Sequence, residues 1–406
     1  MLIEFSISNF RSFRDKQTLS MVAAPRLRRR ENVFSPVLTG EKFPDLLKVA
    51  VIYGPNASGK SNLLKAFNVL GLMANREPSA RETPLPLSPF RFDSALAHQP
   101  SRFEVHFIHD GIRYQFELAA TPERVVTECL VAYPQGRETL LYRRQHTAEG
   151  ESYAFGDTLE GGAELHQAWR RLTAPRVLFI AQAVANSSEE MGQLRAPFVW
   201  LKSATLPLLD GMKEAADAAQ DLAQNTNFAN EIAAFLREVD VPVVKIERVG
   251  TSVNRLMDAI GIKETMLTHQ TALGDANLSY EDESEGTKNL IGFWLPWSIR
   301  SSRFDSPRCI LIADELDSSL HPNIVAALVA KHIHAEEPSQ LIFSTHNTHL
   351  MDAKLLRRDQ FWITERDSNG ATQLRSIHDF AGREGEDIEK RYYEGRYRGL
   401  PVLAGR

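Results

Sequence analysis

The sequence predicts an α/β fold built on a buried parallel sheet, and three apolar runs carry that prediction. Lys48–Tyr53 reads as a strand. A glycine-containing turn follows it, and then a helix whose Leu63, Leu64, Phe67 and Leu70 share one face. Cys309–Ala313 is a second run, without the alternation of a half-exposed strand, as expected for burial on both faces. Leu341–His346 holds a third. Between the last two, Pro322 suits the first turn of a helix whose apolar side carries Ile324, Val325, Leu328 and Val329. Strand, helix and strand in succession make the parallel unit of such sheets.

The remaining elements follow in chain order. Residues 2–7 alternate Ile3, Phe5, Ile7 against Leu2, Glu4, Ser6, a strand with one apolar face. Residues 25–46 hold Pro25, Pro36 and Pro44 and read as a loop; residues 76–100 are likewise proline-rich and irregular. Phe103, Val105 and Phe107 alternate up to Asp110-Gly111, a tight-turn pair, and Ile112, Tyr114, Phe116 and Leu118 alternate back. With Val125–Tyr133 and Thr139–Arg143, residues 101–145 form an antiparallel sheet. Residues 184–240 are rich in Ala, Leu, Glu, Asp and Gln and predict two or three helices, broken and capped at Asn225-Thr226-Asn227. Strands resume at Val241–Val249 and Thr265–Thr271. The expected organisation is an N-terminal region over residues 1–183, a helical insertion over 184–240 and a C-terminal region over 241–406.

Composition excludes several classes. With 406 residues, 43% apolar and 24% charged, the chain can bury a real core and is neither disordered nor fibrous. A formal charge of −5 excludes a uniformly basic binder of nucleic acid. Two cysteines, Cys129 and Cys309, make neither a disulfide framework nor a cysteine zinc site. The first residues lack the apolar core of a secretion signal, and no run approaches the ~20 apolar residues of a membrane span. A soluble, cytoplasmic protein is expected.

Gly54-Pro55-Asn56-Ala57-Ser58-Gly59-Lys60-Ser61, followed by Asn62, matches G-x-x-x-x-G-K-S, the phosphate-binding loop. The glycines let backbone N–H groups wrap phosphate oxygens, and the helix start adds its positive end. Lys60 is expected between the β and γ phosphates and the Ser61 hydroxyl on Mg²⁺. Asp314 and Glu315 end a strand expected to be buried. Acids there need compensation, which Mg²⁺ supplies to Asp314, leaving Glu315 to polarise the attacking water. His346 ends the next such strand, at the same sheet edge, within reach of the γ-phosphate.

Together these residues resemble the ATPase head of the ABC superfamily, in the branch containing SMC, RecF and OLD-type proteins. Phe5-Ser6-Ile7-Ser8-Asn9-Phe10-Arg11-Ser12-Phe13 resembles the opening strand of those heads. Asp314-Glu315-Leu316-Asp317-Ser318-Ser319-Leu320-His321-Pro322 resembles their Walker B and D-loop, with Asp317 and Ser318 in the D-loop. Ser344-Thr345-His346-Asn347 resembles their His switch. The fold implied is a P-loop NTPase of ABC-head type, with a mixed central sheet, an antiparallel β-subdomain and a helical insertion.

The resemblance also implies a signature loop that completes a neighbour's ATP site. Glu283-Ser284-Glu285-Gly286-Thr287-Lys288 matches at Ser284 and Gly286, while Thr287 and Lys288 replace the usual Gln; the helix is expected over Asn289–Ile299. A plain helix cap at Ser284 explains the same residues. The Q-loop glutamine of the family has no clear counterpart; Gln115 and Gln182 are candidates. With Arg391-Tyr392-Tyr393-Glu394-Gly395-Arg396-Tyr397-Arg398-Gly399-Leu400-Pro401, the motifs resemble RloA-like bacterial AAA/ABC ATPases of restriction and abortive-infection loci. That implies an ATP- and Mg²⁺-dependent homodimer, or a higher oligomer, controlling a separate effector such as a nuclease. A RecF-like DNA clamp is the alternative, through Arg26, Arg28, Arg29 and Arg30 and through Arg391, Arg396 and Arg398. A built-in OLD-type nuclease is disfavoured, because only 60 residues follow His346.

Overall fold

The computed structural model describes residues 1–77, 83–203, 205–208, 213–250, 263–299, 310–336, 339–352, 355–382 and 385–400. Cys309 and Pro401, both within the runs and motifs above, lie outside them. The chain forms two compact units. The first comprises Met1–Pro207, Pro307–Ala313 and His332–Arg406; the second comprises Leu208–Ser306 and Asp314–Lys331.

The first unit holds the predicted mixed sheet. Its order is β11 (Thr205–Leu208), β15 (Ile310–Ala313), β16 (Gln340–Ser344), β5 (Val49–Tyr53), β17 (Phe361–Arg366) and β18 (Thr372–Ser376). β15, β16, β5 and β17 run parallel, and β18 returns antiparallel. Every residue of β5, β15 and β16 is buried, which explains why these strands read as unbroken apolar runs. β11 falls inside the segment 184–240, where helices alone are expected. Pro207 makes it a poor sequence signal, and the strand is tolerated because it lies at the sheet edge.

The second sheet of this unit is antiparallel and larger than residues 101–145. Its order is β10 (Gly150–Phe155), β9 (Thr139–Thr147), β8 (Arg124–Tyr133), β7 (Ile112–Thr121), β6 (Ser101–His109), β1 (Leu2–Ser8) and β2 (Gln17–Ser20). A small pair, β3 (Val33–Phe34) and β4 (Leu46–Leu47), lies within the proline-containing loop. Helix α1 (Lys60–Ala74) buries Leu63, Leu64, Phe67 and Leu70 as predicted, and Phe67 stacks on Phe5 of β1 with ring centroids 3.9 Å apart. The two large sheets are tied by side chains, among them Gln17, which accepts from Leu374 N at 2.8 Å, and the buried Gln340. Gln340 accepts from Leu2 N at 2.6 Å and donates to Leu2 O at 2.8 Å, imitating a strand partner. Helices α2 (Gly162–Leu172), α3 (Phe179–Ala185) and α4 (Arg195–Ser203) complete this stretch of the chain, with Trp200 of α4 stacked on Phe107 of β6 at 3.9 Å.

The second unit packs helices against a three-stranded antiparallel sheet of β12 (Val243–Gly250), β13 (Lys263–Thr271) and β14 (Gly274–Ser279). Its helices are α5 (Lys213–Leu222), α6 (Thr226–Glu238) and α7 (Glu285–Ile299). Phe228 of α6 meets Trp294 of α7 edge-on, with centroids 6.1 Å apart. Asn225 caps α6, its side chain accepting from Asn227 N at 2.9 Å. α7 starts at Glu285, four residues before the expected Asn289, because the Ser284 hydroxyl accepts from Thr287 N at 3.1 Å. Helix α8 (Pro322–Ile333) follows β15 in the chain, and α9 (His349–Asp352) and α10 (Ile388–Tyr393) belong to the first unit.

Candidate functional site

The glycine-rich loop leaves β5 at the carboxyl edge of the parallel sheet, where β16 and β17 flank it. That edge is where open α/β sheets bind ligands. The first helical bond of α1 runs from Leu63 N to Gly59 O at 3.0 Å, so the amides of residues 60–62 belong to the open helix start. Lys60 is buried, and its ammonium donates to Gly54 O at 2.8 Å and Pro55 O at 3.3 Å. Both acceptors belong to the loop itself, so phosphate oxygens arriving in its hollow meet a cation already held there. Asn56 and Ala57 stand exposed at the tip, and Ala57 takes a left-handed conformation at φ 60°.

Residues that the sequence motif does not include fix this loop. Thr364 of β17 bonds Ser58 Oγ at 2.6 Å and donates to Tyr53 O at 3.1 Å. A Cβ on Gly54 would lie 2.4 Å from Thr364 O, so only glycine permits this approach. Thr372 of β18 donates to Ser58 O at 2.8 Å and also lies 2.8 Å from Ser12 Oγ. Ser12 Oγ in turn accepts from Asn62 Nδ2 at 2.9 Å. A Cβ on Gly59 would sit 2.1 Å from Thr372 Oγ1. The loop is thus clamped from three directions. Ser12 has a signal in the opening motif; Thr364 and Thr372 have none, because a lone threonine in a strand marks nothing.

His346 is exposed just beyond β16. It shares the lining of a cleft of about 810 Å³ with Gly54, Pro55, Asn56, Thr348 and Arg398. Tyr53, the residue before Gly54, donates its hydroxyl to Asn347 O at 3.0 Å, so the loop after β16 is tied to the root of the phosphate loop.

Asp314 and Glu315 directly follow β15 and belong to the second unit, Asp314 half-buried and Glu315 exposed with φ 48°. In that unit the signature and D-loop segments touch. Asn289 Nδ2 donates to Ser318 O at 3.0 Å, and a Cβ on Gly286 would lie 2.8 Å from Ser319 O. Ser284 is exposed, Gly286 and Lys288 are half-buried, and Thr287 is buried with its hydroxyl 2.9 Å from Ser284 Oγ. Ser284 is therefore a helix cap, whatever else it contacts. Asp317 is half-buried and Ser318 exposed.

A family profile described as "AAA domain, putative AbiEii toxin, Type IV TA system" matches residues 49–352, well over half of the chain. The chain belongs to this AAA-domain family. It is accordingly an ATP-binding P-loop ATPase. Solved structures similar to it include "Crystal structure of the SmcHead bound to the C-winged helix domain of ScpA", at 12% identity and TM-score 0.42, covering 92% of this chain and 97% of that one. Another is "SMC head domain from Thermotoga maritima", at 16% identity and TM-score 0.41, covering 92% and 98%. A search of the curated proteins finds no match.

ATP and Mg²⁺ fit the chemistry of this AAA-domain chain. The loop offers open amides and a buried ammonium to phosphate. Ser61, next to Lys60 at the start of α1, offers a hydroxyl oxygen of the kind that holds Mg²⁺ together with phosphates. Among the described residues no group of three or more His, Cys, Asp or Glu is arranged to hold a metal by itself.

Other candidates have local explanations in the AAA-domain structure. Asn9 of the opening motif takes φ 48° and organises loops, accepting from Phe90 N at 3.0 Å and donating to Gln99 O at 2.9 Å. Gln115 lies on β7 and bonds Glu104, Glu117 and Tyr133; Gln182 is buried in α3. Arg391, Arg396 and Arg398 pair with Glu386, Glu394 and Glu365. Arg29 and Arg30 pair with Glu31 and Asp45. In the tail, Asp367 Oδ1 accepts from Asn369 N and Ala371 N, which shapes the β17–β18 turn, and Asp379 accepts from Ser376 N beside a helical turn. No helix among the described residues is long and apolar enough to cross a membrane.

Proposed function

We propose that the protein hydrolyses ATP and works as a nucleotide-driven dimer switch, in which two chains sandwich two nucleotides. The observation that carries this reading is the shared cleft. The phosphate loop and His346 line one cavity at the carboxyl edge of the parallel sheet. Lys60 and the α1 amides bind the phosphate chain. Ser61 and Asp314 would hold Mg²⁺, which would neutralise phosphate charge. Glu315 accepts a proton from the attacking water, and His346 orients that water or the γ-phosphate. Catalysis of this kind is mostly positioning and charge stabilisation. In the partner chain, Ser284, Gly286, Thr287 and Lys288 at the α7 start contact the γ-phosphate, with Asp317 and Ser318 of the D-loop beside them. The contacts of Gly286 and Asn289 with Ser319 and Ser318 support treating these two segments as one surface.

The switch serves bacterial defence against phage by controlling a separate effector. Support comes from the family description, which names an AbiEii toxin and a type IV TA system. The RecF-like reading gains nothing from the arginines, most of which are already paired with acids.

Two mutants test the switch. Glu315→Gln is expected to cut hydrolysis about 100-fold or more, the scale of general-base loss, and to accumulate an ATP-bound dimer in light scattering. Mixing Lys60→Ala with Ser284→Arg chains is expected to restore activity at one composite site per dimer. Normal turnover in Glu315→Gln refutes its role. Absence of recovery at any mixing ratio refutes the sandwich.

A further inference from the structure

The segment 386–400 takes no part in the switch proposed above, yet it supplies much of the cleft wall. Tyr392, Tyr393, Gly395, Arg398 and Gly399 line the same cavity as Gly54, Pro55, Asn56 and His346. The segment is anchored at several points. Tyr392 is buried, its ring 6.2 Å from that of Tyr53, and its hydroxyl donates to Gly399 O at 2.9 Å. Burial pushes the Tyr392 pKa up to about 12, so it stays a donor. Gly399 takes φ 69° and presses on Ile363 of β17, where a Cβ would come within 2.4 Å of Ile363 Cγ2. Tyr397 is buried, edge-on to Phe380 at 5.5 Å.

From this anchored segment two side chains reach the loop that bears His346. Thr348 Oγ1 donates to Glu389 Oε1 at 2.6 Å and lies 3.0 Å from the Tyr393 hydroxyl. Since the threonine proton goes to the carboxylate, Tyr393 is the donor in the second bond. Thr348 is two residues from His346, and the residue between, Asn347, is held by Tyr53. The loop is therefore fixed on one side by the root of the phosphate loop and on the other by α10. A short loop restrained in this way keeps the backbone of its histidine at one place beside the cleft.

We propose that Glu389 and Tyr393 are positioning residues for ATP hydrolysis. They hold Thr348, and through it they set His346 at the mouth of the phosphate cleft. The proposal rests on the reading that His346 acts at the γ-phosphate. It makes α10 a control point, because anything that pulls α10 away removes one of the two restraints on the loop that bears the histidine.

The test uses the full chain and two separate readouts, binding of a fluorescent ATP analogue and steady-state turnover. Glu389→Ala combined with Tyr393→Phe is expected to lower kcat about tenfold or more, as misplacement of a catalytic group does, while analogue affinity stays within about twofold. Retained binding also reports that the variant is folded. Glu389→Gln keeps an acceptor oxygen and is expected to retain most of the turnover. Adding His346→Ala to the double variant is expected to cost nothing beyond His346→Ala alone, since the pair acts through that residue. Unchanged kcat in the double variant, or a loss that multiplies with that of His346→Ala, overturns the proposal. Wild-type turnover in His346→Ala alone overturns instead the reading beneath it.

Discussion

Thr372 shows how much of the nucleotide loop depends on one hydroxyl. It donates to Ser58 O, lies against Ser12 Oγ, and occupies the space that any side chain at Gly59 would need. Thr372→Val keeps the shape and removes the bonds. The buried Ser58 carbonyl is then left without this donor, a cost of about 1–3 kcal/mol. Thermal unfolding is expected to show that loss, and nucleotide titration a severalfold weaker affinity. Lys60 is legible in the sequence because phosphate chemistry demands its type at its spacing. Thr372 is not legible, because its role depends on a strand returning more than 300 positions later to meet Gly59. Local pattern carries no such information.

At the level of elements, one buried polar cluster joins strands to helices. Glu128 on β8 is fully buried. It accepts from Phe179 N at 2.7 Å and Ile180 N at 3.0 Å at the start of α3, and from the Tyr142 hydroxyl at 2.6 Å. Arg144 on β9, also fully buried, donates to Val177 O at 2.8 Å and pairs with Glu151 at 3.0 Å. Glu128→Ala strands two amides, a phenol and some of the arginine's compensating charge. A loss of about 3–5 kcal/mol in urea unfolding is expected, typical of breaking a buried charge arrangement. β8 and the first part of β9 read as strands in the sequence, but Arg144 and Glu151 disguise the end of β9 and all of β10. Polar residues at inward positions erase the period-two signal even where they are fully satisfied. The start of α7 is hard to read for a related reason. A capping serine hides inside a motif that also reads as a loop.

Across the whole molecule, the antiparallel sheet links acid sensitivity to the packing of the first unit. Glu104 on β6 is held down to a pKa of about 2, first by the hydrogen bond with His106, then by Lys16, with burial working against both. Its ordinary value is 4.5. A depressed carboxylate stabilises the fold above its unfolded pKa and loses that contribution as pH falls through the folded one. The contribution is therefore expected to fade between about pH 4.5 and 2. Urea midpoints of wild type and Glu104→Gln are expected to differ most at about pH 5 and above and to converge toward about pH 2. An unchanged gap across that range would remove the assigned coupling. The parallel core and the position of the phosphate loop are legible from three apolar runs. The division into two units is not, since the chain passes between them at Ala313 and Asp314, inside a single motif.

The central place of β5 has a further consequence, one of timing. This strand is wholly buried, and its two neighbours in the sheet are β16 and β17. A ribosome finishes β5 at Tyr53 and reaches Gln340 only 287 residues later, roughly 15–60 s at ordinary rates of synthesis. Throughout that interval Val49, Ala50, Val51, Ile52 and Tyr53 have no sheet to join. The emerging chain carries a complete phosphate-binding motif that cannot yet be held in shape. Nucleotide binding is therefore expected only once β16 and β17 have been made and can hold β5 between them.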